Sequence, residues 1–230
     1  MDIRLHWEEK GEGKPLILLH GNGEDGSYFK HQMEEFSQDY RVIALDTRGH
    51  GKSPRGTAPF SLSQFAEDLK EFLDERGIRR GIFLGFSDGG NIALLFALKY
   101  PSYVEALIVN GGNLDPSGVK RSVQLPIELG YGITGLFAPF SRKAKRNREL
   151  LGLMVKEPHI RPEELKKISV PALVIAGTDD MIKEEHTRLI GASLPGGQLK
   201  FVKGSHFAAR DNSREFNRAV REFLEREVQS

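Results

Sequence analysis

The chain has 230 residues, 39% hydrophobic and 28% charged, with a net charge of +1 and a pI near 8.0. That is an ordinary globular composition, and so even a charge balance gives no electrostatic case for nucleic acid, whose binding rests on a concentrated basic surface. There are no cysteines, which excludes a disulfide framework, thiolate metal sites and a cysteine nucleophile.

Taken in chain order, the N-terminus Met1-Asp2-Ile3-Arg4-Leu5-His6 is polar and lacks the apolar centre of a signal peptide, so a cytoplasmic location is expected. A short first strand is predicted over residues 3–8. Near-continuous apolar runs follow at 15–20, 41–45, 82–85, 106–110, 172–176 and 199–202. Strands of that kind are covered on both faces, as in a parallel sheet. Helices lie between them. Residues 61–76 place Leu62, Phe65, Leu69, Phe72 and Leu73 on one stripe, with Ser61 and Gln64 spaced as a capping box. Residues 91–100 are apolar nearly all round and stop at Pro101, and residues 213–227 turn Phe216, Val220, Phe223 and Leu224 inward. The alternation predicts an α/β protein with a doubly wound, mostly parallel sheet.

Residues 112–167 break the rhythm: Gly, Pro and basic residues interrupt them and no buried strand is evident. A structureless loop of that length is improbable in a compact domain. The segment is read as a small helical cap, with 1–111 and 168–230 forming the core. Its least charged part, 129–140, contains four Gly or Pro residues and is too short to span a bilayer, so no membrane span is expected.

Gly85-Phe86-Ser87-Asp88-Gly89-Gly90 stands between a buried strand and a buried helix. A bare G-x-S-x-G recurs by chance. In this setting it fits a nucleophile elbow, in which serine occupies a strained turn above the strand ends and the flanking glycines avoid crowding. On such an elbow an acid and then a histidine follow the serine in the chain. The later histidines are His159, His186 and His206. His206 lies between the last strand and the last helix, at the sheet edge that bears Ser87, and is taken as the base. His159 and His186 read as solvated. The acid belongs after the strand 172–176, in Gly177-Thr178-Asp179-Asp180-Met181-Ile182. The apolar Met181 and Ile182 turn the chain inward and favour Asp180, with Asp179 shaping the turn and Asp115 a poorer third choice. Oxyanion donors are assigned to the backbone N–H groups of Asp88 and of Asn22, the latter in Leu19-His20-Gly21-Asn22-Gly23; His20 is read as structural.

These segments, with Asp46-Thr47-Arg48-Gly49-His50-Gly51-Lys52-Ser53, give the chain a resemblance to the α/β-hydrolase superfamily over nearly its whole length. The elbow together with Lys99-Tyr100-Pro101-Ser102-Tyr103 resembles the valacyclovir hydrolase-like esterases in particular. The resemblance implies a mostly parallel sheet with a cap after the family's sixth strand, and it supports Asp180, since the family's acid stands three residues after the glycine at 177. The family's first strand is missing here and the cap is small. Relatives that use an aspartate nucleophile, the haloalkane dehalogenases and epoxide hydrolases, are disfavoured because position 87 is serine.

Other motifs compete. Gly21-x-Gly23-x-x-Gly26 with Asp46 about 20 residues on satisfies a dinucleotide fingerprint, yet Glu24 and Asp25 lie where a pyrophosphate would bind. Gly51-Lys52-Ser53 lacks the first glycine of a phosphate loop, and no metal-ligand cluster appears. Residues 142–148 hold five basic side chains in seven. They read as a solvated helix face, with attraction of an anionic substrate tail as the sharper alternative. The Asp88 side chain favours the helix N-terminus or, alternatively, reads a cationic substrate group. The expected function is hydrolysis of a carboxylic ester or related small-molecule acyl substrate through an acyl-enzyme, without cofactor or metal. Leu129, Ile133, Leu136 and Phe137 are expected to line the pocket. Thioester or C–C cleavage on the same groups, a catalytically weak binding protein, and remotely a dinucleotide-binding protein are the alternatives.

Overall fold

The computed structural model describes residues 2–228. In chain order the strands are β1 (Trp7–Lys10), β2 (Pro15–Leu19), β3 (Arg41–Leu45), β4 (Gly81–Phe86), β5 (Val104–Asn110), β6 (Ala172–Asp179) and β7 (Gly197–Ser205). The helices are α1 (Lys30–Phe36), α2 (Leu62–Glu75), α3 (Asp88–Lys99), α4 (Arg121–Phe137), α5 (Arg142–Lys156), α6 (Pro162–Leu165), α7 (Glu184–Ser193), α8 (Ala208–Asp211) and α9 (Ser213–Glu227). The seven strands form one sheet in the order β1-β3-β2-β4-β5-β6-β7. Every adjacent pair is parallel except β1 with β3.

Alternation along each strand feeds two cores. Ile17 and Leu19 of β2, Ile43 and Leu45 of β3 and Phe83 of β4 pack with α2 and α3. Leu16 and Leu18, Val42 and Ala44, and Ile82 and Leu84 pack with Phe36 of α1 and with Phe216, Val220 and Phe223 of α9. Burial on both faces is why these strands read as apolar runs rather than alternating ones. The sheet is therefore doubly wound, as expected.

The first strand lies later than the sequence pattern indicates. Leu5 is buried but precedes the ladder, and Trp7–Lys10 pairs with 42–45 at an exposed edge. Backbone pairing places that strand, and an edge leaves little apolar signature. Helix α3 likewise begins three residues earlier than its apolar run, directly after Ser87.

The strand order places the site. From β2 the chain moves outward to β3, crosses back to β4 on the other side of β2, and continues through β5, β6 and β7. The loops after β2 and β4 thus diverge from neighbouring strand ends, the crevice where open α/β sheets bind ligands. Between β5 and β6, α4 and α5 pack antiparallel as a hairpin. Leu153 of α5 joins the core of the sheet. Among the described residues no helix is long and apolar enough to cross a membrane.

Candidate active site

β4 runs fully buried into the turn, and Ser87 is the residue before α3. Its φ of 53° makes it the one non-glycine residue with positive φ among those described. That conformation costs about 1–3 kcal/mol and persists only where the surroundings enforce it. The enforcement is visible. A Cβ on Gly85 would lie 2.1 Å from the Gly89 carbonyl oxygen, and one on Gly89 would lie 1.9 Å from that of Leu19. Ser87 N donates to Asn110 O at 2.8 Å, fastening the turn to the end of β5. A serine at a helix N-cap ordinarily spends its hydroxyl on a backbone amide; Ser87 makes no such bond. Its Oγ instead lies 3.0 Å from His206 Nε2.

His206 follows β7 and is 5% exposed. Its Nδ1 lies 2.6 Å from Asp180 Oδ1, which also accepts from Ile182 N at 2.9 Å. A carboxylate only accepts, so Nδ1 carries the proton and Nε2 is left to accept from the serine hydroxyl. Phe86 packs against the imidazole at 4.9 Å between ring centroids. Of the two adjacent aspartates, Asp180 is buried against His206, whereas Asp179 is exposed at the end of β6. Asp115 accepts instead from Ser117 N, shaping its own turn. A hydroxyl facing an imidazole nitrogen, with a carboxylate fixing the other nitrogen, is an arrangement that can transfer the hydroxyl proton and leave an attacking oxygen.

The loop after β2 comes directly alongside. A Cβ on Gly21 would lie 3.2 Å from Ser87 Cβ. The Asn22 amide donates to Asp88 Oδ2 at 3.0 Å and to Leu150 O of α5 at 2.9 Å, tying that loop to the elbow and to the hairpin. The buried Asp88 carboxyl is pushed up to about 6 by burial, with the Asn22 bond opposing the rise. His20 is buried, accepts from Thr47 N through Nε2 and lies 2.7 Å from Gly21 O through Nδ1, so it clamps the β2 loop to the β3 loop. Burial lowers its pKa.

Asp46 accepts from Gly26 N and Lys52 N, both at 2.8 Å. The acid that a dinucleotide reading assigns to ribose is thus occupied by its own loops. Arg48 is fully buried and bidentate to Asp68 at 2.7 Å on each arm. The segment from Asp46 to Ser53 is scaffold.

Three expectations need correction or extension. His186 is not solvated: it is buried, its Nε2 accepts from Leu114 N at 2.9 Å, and Gly118 packs against the ring. His159 is exposed, as read. Leu129, Ile133, Leu136 and Phe137 do not line a pocket but stand 57–72% exposed. Gln124, Gly130, Tyr131 and Gly135 face α5, and at 3.6 residues per turn the four apolar residues fall on the opposite side. A cavity of about 730 Å³ lies instead between α4, α5 and Phe60, with Tyr131 and Gly135 on its α4 wall, and one of about 560 Å³ lies between α5 and the loop bearing Phe60. Gly111 was not singled out from the sequence, yet it has φ 61° and a Cβ there would lie 2.8 Å from His206 Cε1. A Gly-Gly pair closing an apolar strand is the signal that could have marked it.

The chain matches the α/β hydrolase fold family over residues 14–131. It belongs to that family. A 2-hydroxy-6-oxononadienedioate/2-hydroxy-6-oxononatrienedioate hydrolase of Paraburkholderia phymatum is 30% identical over 97% of this chain and 91% of its own. Human serine hydrolase BPHL is 27% identical over 97% of this chain and 84% of its own. A hydrolase from Pseudomonas aeruginosa superposes with a TM-score of 0.79 at 26% identity, covering 96% of this chain and 94% of that one. The protein is an α/β-hydrolase.

Proposed function

We propose that this hydrolase cleaves a carboxylic ester, or a closely related acyl substrate, through an acyl-enzyme on Ser87. The observation that carries the reading is the continuous chain from Asp180 through His206 to Ser87 Oγ, at 2.6 and 3.0 Å. His206 takes the hydroxyl proton as Ser87 attacks the carbonyl carbon, and the Oγ–C bond forms while the carbonyl electrons move onto oxygen. The backbone N–H groups of Asn22 and Asp88 receive that oxyanion. Its collapse expels the alcohol, which takes the proton from His206. Water, deprotonated by the same imidazole, then releases the acid, and Asp180 stabilises the imidazolium in both steps. No cofactor enters. In this reading 112–167 is a cap over a core of 1–111 and 168–230, and the protein works in the cytoplasm. The test is labelling with a fluorophosphonate probe. Wild type should label and Ser87→Ala should not; an unlabelled, folded wild type would favour a binding protein instead.

A second reading is C–C bond hydrolysis on the same groups. The full-length relative named for a dienedioate favours it, as do Arg142, Lys145 and Arg146 around the 560 Å³ cavity. Turnover of a 2-hydroxy-6-oxo dienedioate above that of simple esters would establish it. Within the ester reading, the buried Asp88 carboxylate suits a cationic group beside the scissile carbonyl. Asp88→Asn should then erase a preference for amino-acid esters over neutral ones, and an unchanged preference removes this role.

A further inference from the structure

Helix α4 leaves an apolar face without a partner. Leu125, Leu129, Ile133, Leu136, Phe137 and Phe140 follow one another at intervals of four, four, three, one and three residues and are 43–88% exposed, Phe140 most of all. These six account for nearly all the large apolar side chains exposed among the described residues. Monomeric proteins seldom expose a contiguous stripe of this kind without a use for it.

Charge identifies the use. From Leu129 to Arg148 the chain has five basic residues and no acidic one. Arg142, Lys143, Lys145 and Arg146 are exposed at the start of α5 and have no carboxylate partner among the described residues. The whole chain is only +1, so the remainder of the molecule is net negative and the hairpin tip is its positive pole. An apolar helical face ending in a cluster of cations is the pattern of a segment that lies in a bilayer interface, with side chains among the acyl chains and cations at anionic headgroups. A second copy of the chain has no charge complement to offer here, since its own face carries the same stripe and the same cations, with no acidic residue from Leu129 to Arg148.

We propose that the α4–α5 tip is a docking surface for an anionic membrane. The stripe ending at Leu136, Phe137 and Phe140 enters the headgroup boundary, and Arg142, Lys143, Lys145 and Arg146 hold anionic headgroups. Docking orients the net-negative body away from the membrane. Because Arg142, Lys145 and Arg146 also border the 560 Å³ cavity, docking is read from vesicle binding and not from turnover.

Cosedimentation of the full-length protein tests the proposal, using vesicles of phosphatidylcholine alone and of phosphatidylcholine with about a third phosphatidylserine, the fraction that makes a strongly negative surface. The protein should partition onto the anionic vesicles, and binding should fall steeply as salt rises. Reversing Arg142 and Lys143 to glutamate should weaken it by more than about 25-fold, at roughly fivefold for each charge lost. Phe140→Asp should abolish binding while leaving hydrolysis of a soluble ester and the circular dichroism spectrum unchanged. Wild type that stays in the supernatant at low salt overturns the proposal, as does equal binding by both variants. So does sedimentation velocity showing a dimer that Phe140→Asp dissociates, since the face would then be an interface between copies.

Discussion

A Cβ added to Gly89, below Ser87, would lie 1.9 Å from the backbone oxygen of Leu19, whereas one added to Gly132 on α4 would meet nothing within 4 Å. The two glycines stand for two regions built on different rules. At the sheet edge Gly21, Gly85, Gly89 and Gly111 are each closely backed by a neighbour, and a strained serine is held in place among them. On the hairpin, glycines sit in a helix whose outer face is open to water. Strain can be stored only in the first region, because storage needs neighbours that refuse to move.

The largest effects should come from the edge. Asp180→Asn should lower kcat by about 10⁴-fold, since an amide no longer fixes the imidazole tautomer or stabilises its cation. Asp179→Asn, one residue away and exposed, should stay within about twofold of wild type, the scale of surface substitutions. Parallel assays of the two on one activated ester check the pair, and a large loss in Asp179→Asn would reassign the acid. Gly89→Ala should cost about 4 kcal/mol or prevent folding, because the methyl group meets backbone rather than a movable side chain. Urea unfolding measures the loss; a near-native midpoint would mean that the edge yields more than its packing implies.

Much of the fold and of the candidate site was legible in the chain because the signals are local. The buried strands announce themselves as apolar runs, and the elbow needs its glycines within two residues of the serine. Asp180 was separable from Asp179 because the apolar Ile182 that follows it is buried at 2% exposure, carrying the chain inward. What was not legible depends on partners distant in sequence. His186 looks like a surface residue on α7 until Leu114 and Gly118 close over it. Gly111 matters through a ring 95 residues later in the numbering. The α4 stripe showed which residues share a face, but periodicity names a face and not its neighbour. Hence the inward reading of Leu129, Ile133, Leu136 and Phe137 failed.

A smaller effect concerns the charge held within the edge. Burial pushes the Asp88 carboxyl up from an ordinary 3.8 to about 6 in the folded protein. Between those values the folded state retains a proton that the unfolded state releases, so stability falls as pH rises through the window. By pH 7 the loss is complete, on the order of 3 kcal/mol. Asp88→Asn carries no such charge while its amide oxygen can still accept from Asn22. Urea midpoints should therefore coincide for variant and wild type near pH 4 and separate in favour of the variant toward pH 7.5. A constant gap across that range would mean that Asp88 is not the titrating group.

The smallest effect belongs to the hairpin and has the opposite sign. Gly132 is helical, has ordinary negative φ and leaves room for a methyl group. Alanine there restricts the unfolded chain and favours the helix by about 0.5–1 kcal/mol, with no steric penalty to set against it. Gly132→Ala should thus raise the urea midpoint slightly. Gly135→Ala, three residues on, should raise it less, because its methyl group displaces the end of the flexible Arg148 side chain from its bond to Tyr131 O. The contrast within a single helix sharpens the regional one: where α4 meets α5 a displaced side chain offsets the gain, and on the face turned to solvent nothing does. If Gly132→Ala raised the midpoint no more than Gly135→Ala, that face would be covered by something in solution.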